Sequence, residues 1–321
     1  MAETQGRLTL WGIEVFLITA DEGTASAAAK RLGVSVSGIS QQLAALEAAL
    51  GADLFDRSAR PLRLTPAGEM FCRRARVIAN EAAEARAELA LGDLSGLTRF
   101  RLGMIEDFDS DVTPGLLAAM AQELKGCQFL LETGPSHRLL DQLDIRALDM
   151  VVSAETGPAA AWMEVHPLLS EPFVVAAPRG AVDPGGDVLA QLRALPLIVY
   201  STRHAMGRQI AAHLAREEMR LAHRFELDSY HAIMAMVSEG LGWTILTPLG
   251  YLHAARFRDH ADVLPLPFAP MSRRISLGAR RGVLRDMPAE VAARLRTLLQ
   301  EMVVTPTLRR LPWLEGELKV L

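Results

Sequence analysis

The sequence predicts an all-α winged helix–turn–helix at the N-terminus, a long linker helix, and then an α/β domain of two subdomains. Three observations carry this. Residues 24–65 read as two short capped helices about a tight turn, followed by a basic loop. A narrow apolar seam of heptad spacing runs from Phe71 to Leu89. From Arg99 onward, strand-like and helical runs alternate.

Leu10, Ile13, Phe16, Leu17 and Ala20 mark a first helix with one apolar face. Thr24 is placed to cap a second helix, Ala25–Leu32, by accepting an orphan amide of its first turn. Gly33 ends that helix, and Ser35 caps a third. Along the third, Ile39, Leu43, Leu46 and Leu50 form an apolar stripe. Ser37, Ser40 and Gln41 occupy its other face, which a helix–turn–helix offers to the major groove. An ordinary helical hairpin has the same periodicity, so the rest of the chain must decide. LFDRSARPLRLT suits a β-hairpin wing, with Leu62 and Leu64 beside a tight turn. Thr65 with Pro66 starts a helix to about Leu91. Its seam of Phe71, Ala75, Ile78, Ala82, Ala85 and Leu89 reads as a dimerisation element, and LGDLSGLTR as the linker behind it.

Beyond Arg99 the expected strands are RFRLGMI, QFLLE, DMVVS, PFVVAAP, LIVY, RFELD, WTIL and RRISLGA. Helices are expected at 114–124, opened by Thr113 and Pro114, and at 136–145, 206–219, 229–239 and 288–302. Such alternation predicts parallel sheets covered by helices, with ligands at strand C-termini near helix N-termini. Trp243 is expected in the core, at a strand edge facing the cleft, and Trp313 is the residue expected to dock the C-terminal tail.

Half of the 321 residues are hydrophobic and 22% are charged, which predicts a soluble globular protein. No apolar run approaches the ~20 residues of a membrane helix, and the acidic N-terminus lacks a secretory pattern. No membrane association and a cytoplasmic location are expected. Cys72 and Cys127 are too few and too far apart for a zinc motif and read as reduced, mostly buried thiols. No metal, no cofactor and no catalytic residues are expected: a G-x-S-x-G elbow, a Walker loop, H-E-x-x-H and a CxxC pair are all missing. The net charge of −4 does not advertise nucleic acid, yet residues 30–76 hold eight basic side chains against four acidic ones. Lys30, Arg57, Arg60 and Arg63 are the candidate phosphate contacts, since binding needs a local patch and not a basic whole.

The run FLITADEGTASAAAKRLGVSVSGISQQLAALEAALGADLFDRSARPLRLTPAGE resembles the LysR-type transcriptional regulators. GPSHRLLDQLDIRALDMVVS and DSYHAIMAMVSEGLGWTIL extend the similarity into the second half. The resemblance implies a regulator that binds an operator in double-stranded DNA. It implies a homodimer or homotetramer with paired linker helices, and contact with RNA polymerase as activator or repressor. It further implies a regulatory domain similar to periplasmic binding proteins, with a small-molecule effector between two subdomains. The expected boundaries are 1–65 for the winged head and 66–96 for linker helix and hinge. The effector domain is expected at 97–302: subdomain I at 97–168 and 268–302, subdomain II at 169–267. A tail is expected at 303–321. The chain is expected to cross between subdomains near Leu168–Pro172 and Pro265–Pro270.

By the same resemblance, Ser35, Val36, Ser37, Ser40 and Gln41 face DNA, and Arg57 fills the family's backbone-contacting position in LF-x-R. Many members carry a basic residue where Gln41 stands and a glutamine where Val36 stands, so the reading face here is less basic. Gln41 suits the N6 and N7 edge of adenine, and Val36 a thymine methyl. The effector positions that carry over are Glu106, Asp107, Phe108, Ser136, His137, Ser201, Thr202, His204, Asp228 and Tyr230. Many relatives have serine or threonine where Asp107 falls. Here IEDFDSDVTP surrounds a helix start with acids, which offsets the positive end of the helix. The expected effector therefore carries a positive group: an amine, amino acid or other zwitterion, with Phe108, Trp162 and Tyr230 as aromatic faces. The alternatives are a carboxylate effector and an effector-independent DNA binder.

Overall fold

The computed structural model describes residues 7–59, 61–90, 97, 99–108, 111–219 and 221–321, with backbone alone for 83–90. Arg60, Asp109, most of the linker and the seam side chains of Ala85 and Leu89 lie outside the described residues. The chain divides into two compact units: Met1–Leu97 with Asp144–Ala147, and Thr98–Leu143 with Leu148–Leu321.

The first unit begins with α1 (Leu10–Glu22), α2 (Ala25–Leu32) and α3 (Val36–Leu50). Thr9, Thr24 and Ser35 accept the amides of Gly12, Ala27 and Gly38 in their first turns. All three helices end on a left-handed glycine, Gly23, Gly33 and Gly51, with φ of 66°, 68° and 67°. β1 (Phe55–Asp56) and β2 (Arg63–Leu64) pair antiparallel as a short wing, and α4 (Pro66–Ala90) follows, its first turn capped by Thr65. A Cβ on Gly68 would stand 2.1 Å from the Leu54 carbonyl oxygen, so only glycine lets α4 lie against that loop.

Ile13, Phe16, Ile39, Leu43, Leu46, Leu54 and Phe55 form the core of this unit. The Phe16 ring centroid lies 5.3 Å from that of Phe55 and 5.2 Å from that of Phe71. Leu10 and Leu50, expected on the buried stripes, are exposed because each sits at the open end of its helix. The described part of the seam also differs from expectation. Phe71, Ala75 and Ile78 pack on this unit's own core, where Phe71 meets Phe16 of α1.

The second unit starts with β3 (Arg99–Met104), α5 (Val112–Glu123), β4 (Gln128–Thr133), α6 (Ser136–Asp144), β5 (Met150–Ala154) and β6 (Met163–Pro172). There follow β7 (Val174–Pro178), α7 (Val188–Arg193), β8 (Leu197–Tyr200), α8 (Ala205–Arg216), β9 (His223–Leu227), α9 (Tyr230–Ser238), β10 (Thr244–Leu246), α10 (Pro248–His253) and β11 (Ala261–Pro265). The chain closes with β12 (Ser272–Arg280), α11 (Met287–Leu299), α12 (Thr305–Arg310) and β13 (Lys319–Val320). One sheet has the order β13-β6-β12-β5-β3-β4; β7 joins β10 and β11 in another, and β8 pairs with β9.

The sheets are not all parallel as expected: the six-stranded sheet is mixed, the sheet of β7, β10 and β11 is antiparallel, and the β8–β9 pair is wholly parallel. Helical crossovers make β3 parallel to β4 and β5, and β8 parallel to β9. The strands that carry the chain between sheets have no such crossover, and β12 runs antiparallel to both β5 and β6. β6 leads into β7 at Phe173, and residues 266–271 join β11 to β12. The Phe173 amide donates to the Met271 carbonyl at 2.8 Å, tying the two passages together. The residue pattern does not mark β6 as a strand, because Pro167 and Pro172 interrupt it, although the crossing expected from the resemblance at Leu168–Pro172 falls in its second half; the ladder shifts register beside Pro167, where a bulge accommodates the ring. α5 begins at Val112, ahead of the expected Thr113–Pro114 start, since proline is tolerated in a first turn.

Trp243 is fully buried and faces the core, not the cleft. Cys72 and Cys127 are free thiols of intermediate burial. The tail docks through Leu314 and Leu318, which are buried, whereas Trp313 is exposed. β13 then adds to the free edge of β6. Leu314→Ala is expected to destabilise the second unit by about 2–4 kcal/mol, and Trp313→Ala by under about 0.5 kcal/mol. Urea melts of the two variants compare them, and equal losses would contradict this docking.

Candidate functional site

Two regions carry the candidate residues. In the first unit, Ser35, Val36, Ser37, Ser40 and Gln41 are all exposed along the start of α3. The Ser35 and Ser37 hydroxyls lie 3.0 Å apart, and Ser40 donates to the Val36 carbonyl at 3.1 Å. The Gln41 side chain makes no hydrogen bond among the described residues, so its carboxamide is available. Lys30 is exposed in the last turn of α2, where a cation also suits the negative end of the helix. Arg63 is exposed on β2, in register with Asp56. Hydrogen bonds from Ser58, with a smaller pull from Arg63, hold the Asp56 carboxyl below the usual range.

Arg57 has a structural partner that the sequence reading missed. Its guanidinium donates to Glu47 Oε2 at 2.6 Å; the arginine side chain is 67% exposed and the glutamate 8%. Glu47 Oε1 accepts the amides of Leu54 at 2.8 Å and Phe55 at 3.3 Å. One buried carboxylate thus shapes the loop into the wing and holds Arg57 beside it. The available signal was position: Glu47 falls four residues after Leu43, on the apolar stripe.

In the second unit, a cleft encloses about 670 Å³ of space between atoms, part of it open solvent. Its wall includes Ile105, Glu106 and Asp107 after β3, Gly134–Ser136 before α6, and Ala154–Thr156 after β5. Tyr200, His204–Met206, Gln209, Asp228, Tyr230 and Arg273 complete it. The first turn of α8 opens here. His204 flanks it without a side-chain cap, and among the described residues no acceptor takes the amides of Ala205, Met206 and Gly207. A Cβ on Gly207 would meet the Ser201 carbonyl oxygen at 2.1 Å, so glycine is what seats this turn on the end of β8.

Arg273 forms the floor. Its side chain is only 7% exposed. It donates through Nε to Glu171 at 2.6 Å, and through one terminal nitrogen to Asp107 at 2.9 Å and Thr247 at 3.3 Å. Burial is the largest single influence and works against its charge, but Glu171, Asp107 and their neighbours together outweigh it, and the pKa lies well above the usual arginine value. Burial also pushes the Glu171 carboxyl up, with Arg273 pulling the other way. Tyr200 and Tyr230 are both raised, chiefly by burial, and keep their protons. Tyr200 donates to the Asp228 carbonyl at 3.0 Å and Tyr230 to Met206 Sδ at 3.1 Å.

Six of the expected effector positions line this cleft: Glu106, Asp107, Ser136, His204, Asp228 and Tyr230. Ser136 is partly committed, because its Oγ accepts the Ala154 amide at 3.0 Å. The other four stand elsewhere. Phe108 is buried in the core. Ser201 is also buried and donates to Glu226 at 2.7 Å, and the Thr202 amide reaches the same carboxylate at 3.3 Å. His137 is exposed, its ring 6.4 Å from that of His204. Trp162 lies under Arg280, 4.3 Å from its guanidinium, and Tyr200 and Tyr230 are the aromatic residues of the cleft wall. Sequence reading missed Tyr200, Glu155, Gln209 and Arg273. For Arg273 a signal existed: it shares the period-two buried face of β12 with Ile275, Leu277 and Ala279.

Against known families, residues 10–69 match the bacterial regulatory helix-turn-helix protein, lysR family, and residues 95–302 match the LysR substrate binding domain. A probable hydrogen peroxide-inducible genes activator of Mycobacterium avium is 32% identical over 283 residues, 87% of this chain and 90% of that protein. A full-length OxyR variant from Pseudomonas aeruginosa superposes with a TM-score of 0.67 at 25% identity, over 90% of this chain and 95% of that one. Full-length CbnR complexed with its target DNA shares the fold, with a TM-score of 0.59 at 21% identity over 91% of this chain and 99% of that one. The chain belongs to the LysR family of DNA-binding transcriptional regulators. Its architecture is that of full-length members: helix–turn–helix head, linker helix and C-terminal mixed α/β domain. Among the described residues no helix is long and apolar enough to cross a membrane.

Removing Glu47 strands two buried amides, whereas removing Arg57 leaves them paired. Glu47→Ala is therefore expected to destabilise the first unit by about 2–4 kcal/mol, and Arg57→Ala by about 1 kcal/mol. Melting followed by the signal of Trp11, which lies on α1, checks this order.

Proposed function

We propose that this LysR-type regulator senses a small zwitterion, such as an amino acid, in the cleft of its second unit. The supporting observation is that one cleft carries both signs of recognition. Glu106, Glu155 and Asp228 line it as acids, while the first turn of α8 offers open amides to an anionic group. Tyr200 and Tyr230 add aromatic surface for an ammonium. Titration calorimetry of the full chain against amino acids, simple amines and dicarboxylates tests the reading. Amino acids are expected to bind tightest; tighter binding of a plain dicarboxylate would overturn it.

The relatives' names point to hydrogen peroxide as a signal. A thiol sensor needs a reactive thiolate at its switch. Cys72 and Cys127 are the only cysteines, and neither lines the cleft. Burial, with some help from Asp149, pushes the Cys127 thiol up and away from the thiolate. These positions favour a bound ligand over thiol chemistry.

For DNA, the proposed reading element is the start of α3 in the major groove. Gln41 addresses adenine, Ser37, Ser40 and Val36 sit beside it, and Lys30 and Arg63 meet phosphates. The proposed assembly is a homodimer or homotetramer in which α4 pairs beyond the part packed on its own core, and effector closure changes contact with RNA polymerase. Gln41→Ala is expected to relax preference at one base pair by about 1–3 kcal/mol, and Arg63→Ala to weaken all sequences alike with a shallower salt dependence. Selection from randomised operators at two salt concentrations separates the two effects. Unchanged base preference in Gln41→Ala would remove it from the reading face.

A further inference from the structure

Arg273 has two acidic partners of unequal standing. Glu171 is fully buried and sits opposite Arg273 in the β6–β12 ladder. Besides the 2.6 Å bond from Arg273, it accepts the Leu249 amide at 3.1 Å. Asp107 lies in the cleft wall on a single 3-10 turn, Glu106–Phe108, and among the described residues its carboxylate is held by Arg273 alone, at 2.9 Å. The remaining terminal nitrogen of Arg273 finds only Met206 Sδ, at 4.0 Å, a weak acceptor. Met206 belongs to the first turn of α8, whose amides are open. A nine-tenths buried guanidinium therefore points a donor without an oxygen acceptor at the turn that is itself short of acceptors.

Resting on the zwitterion reading above, we propose that Arg273 receives the effector's carboxylate and that Asp107 is the intramolecular carboxylate it replaces. Glu171 stays in place as the permanent counter-ion. The incoming carboxylate takes the bond that Asp107 releases and reaches the amides of Ala205–Gly207. The freed Asp107 turns into the cleft, where it faces the effector's ammonium beside Glu106. Arg273 thereby sets specificity for ligands that carry an anion. The exchange also links cleft occupancy to α10, because Arg273 and Glu171 hold Thr247 and Leu249 at its start.

The probes are acetate and methylammonium, titrated into the full chain and followed by the amide shifts of the first turn of α8. Asp107→Asn removes the competitor and keeps its shape; acetate is expected to bind about tenfold tighter than to the wild type. Methylammonium affinity is expected to stay within about twofold. Glu106→Gln removes the same charge one residue away. It is expected to leave acetate within about twofold and to weaken methylammonium, which separates exchange at Arg273 from a general change of charge. Arg273→Lys is expected to lose acetate binding. Acetate affinity in Asp107→Asn equal to or below that of the wild type, undetectable binding included, would overturn the proposal, as would a loss of methylammonium binding in that variant. If amino acids bind the wild type but Asp107→Asn gains nothing for acetate, the exchange fails and the zwitterion reading stands; if no amino acid binds, the zwitterion reading itself fails.

Discussion

The ion pair between Arg273 and Glu171 stands where the second unit is most constrained. β6 carries the chain out of the six-stranded sheet and β12 carries it back, and these two residues face each other in that ladder. Both are buried, so neither charge is tolerable alone. A buried pair adds little net stability compared with apolar residues of the same volume, yet breaking it costs about 3–5 kcal/mol. What the pair secures is a single arrangement of the two passages. Glu171 fixes the start of α10 through Leu249, and Arg273 reaches Thr247 and the loop after β3. Any change that moves these loops must therefore be one in which both charges keep partners.

The first unit uses the same chemistry at another place. Glu47 is buried on α3, accepts two loop amides and holds an exposed arginine. Its effect is structural: the helix that carries Gln41 and the loop into the wing that carries Arg63 are tied through one carboxylate. Arg57 is then anchored, not freely swinging. An anchored guanidinium loses less entropy on meeting a phosphate than a free one.

The elements of the fold were legible where local chemistry decides them. The caps Thr24, Ser35 and Thr65, the closing Gly33 and apolar stripes marked α1 to α4, and alternation marked most strands of the second unit. What local chemistry does not encode was missed. β6 contains two prolines and reads as a loop until its partners β12 and β13 are present. The seam of α4 carries no label saying which surface covers it, and Phe71 is claimed by Phe16 of the same chain. The candidate site divides similarly. Positions set by the ends of strands, such as Glu106, His204 and Tyr230, reach the cleft, whereas Ser201 and Thr202 are taken by Glu226, a partner on β9 that no local pattern announces.

Charge shows most plainly why a site cannot be summed along the sequence. IEDFDSDVTP reads as a run of acids, and a run of acids repels carboxylates. Folding brings Arg273 to one of them from 166 positions away. The acid that seemed to set the sign of the cleft becomes the ligand of a buried cation. The effective acidity of the wall passes to Glu106, Glu155 and Asp228, and Arg203 draws on the last of these at 3.3 Å. The field an effector meets is thus decided by which charges have already found partners. Under the proposed exchange, a buried guanidinium with one replaceable carboxylate would give that field a second state, in which an anionic ligand is bound without leaving either protein charge stranded.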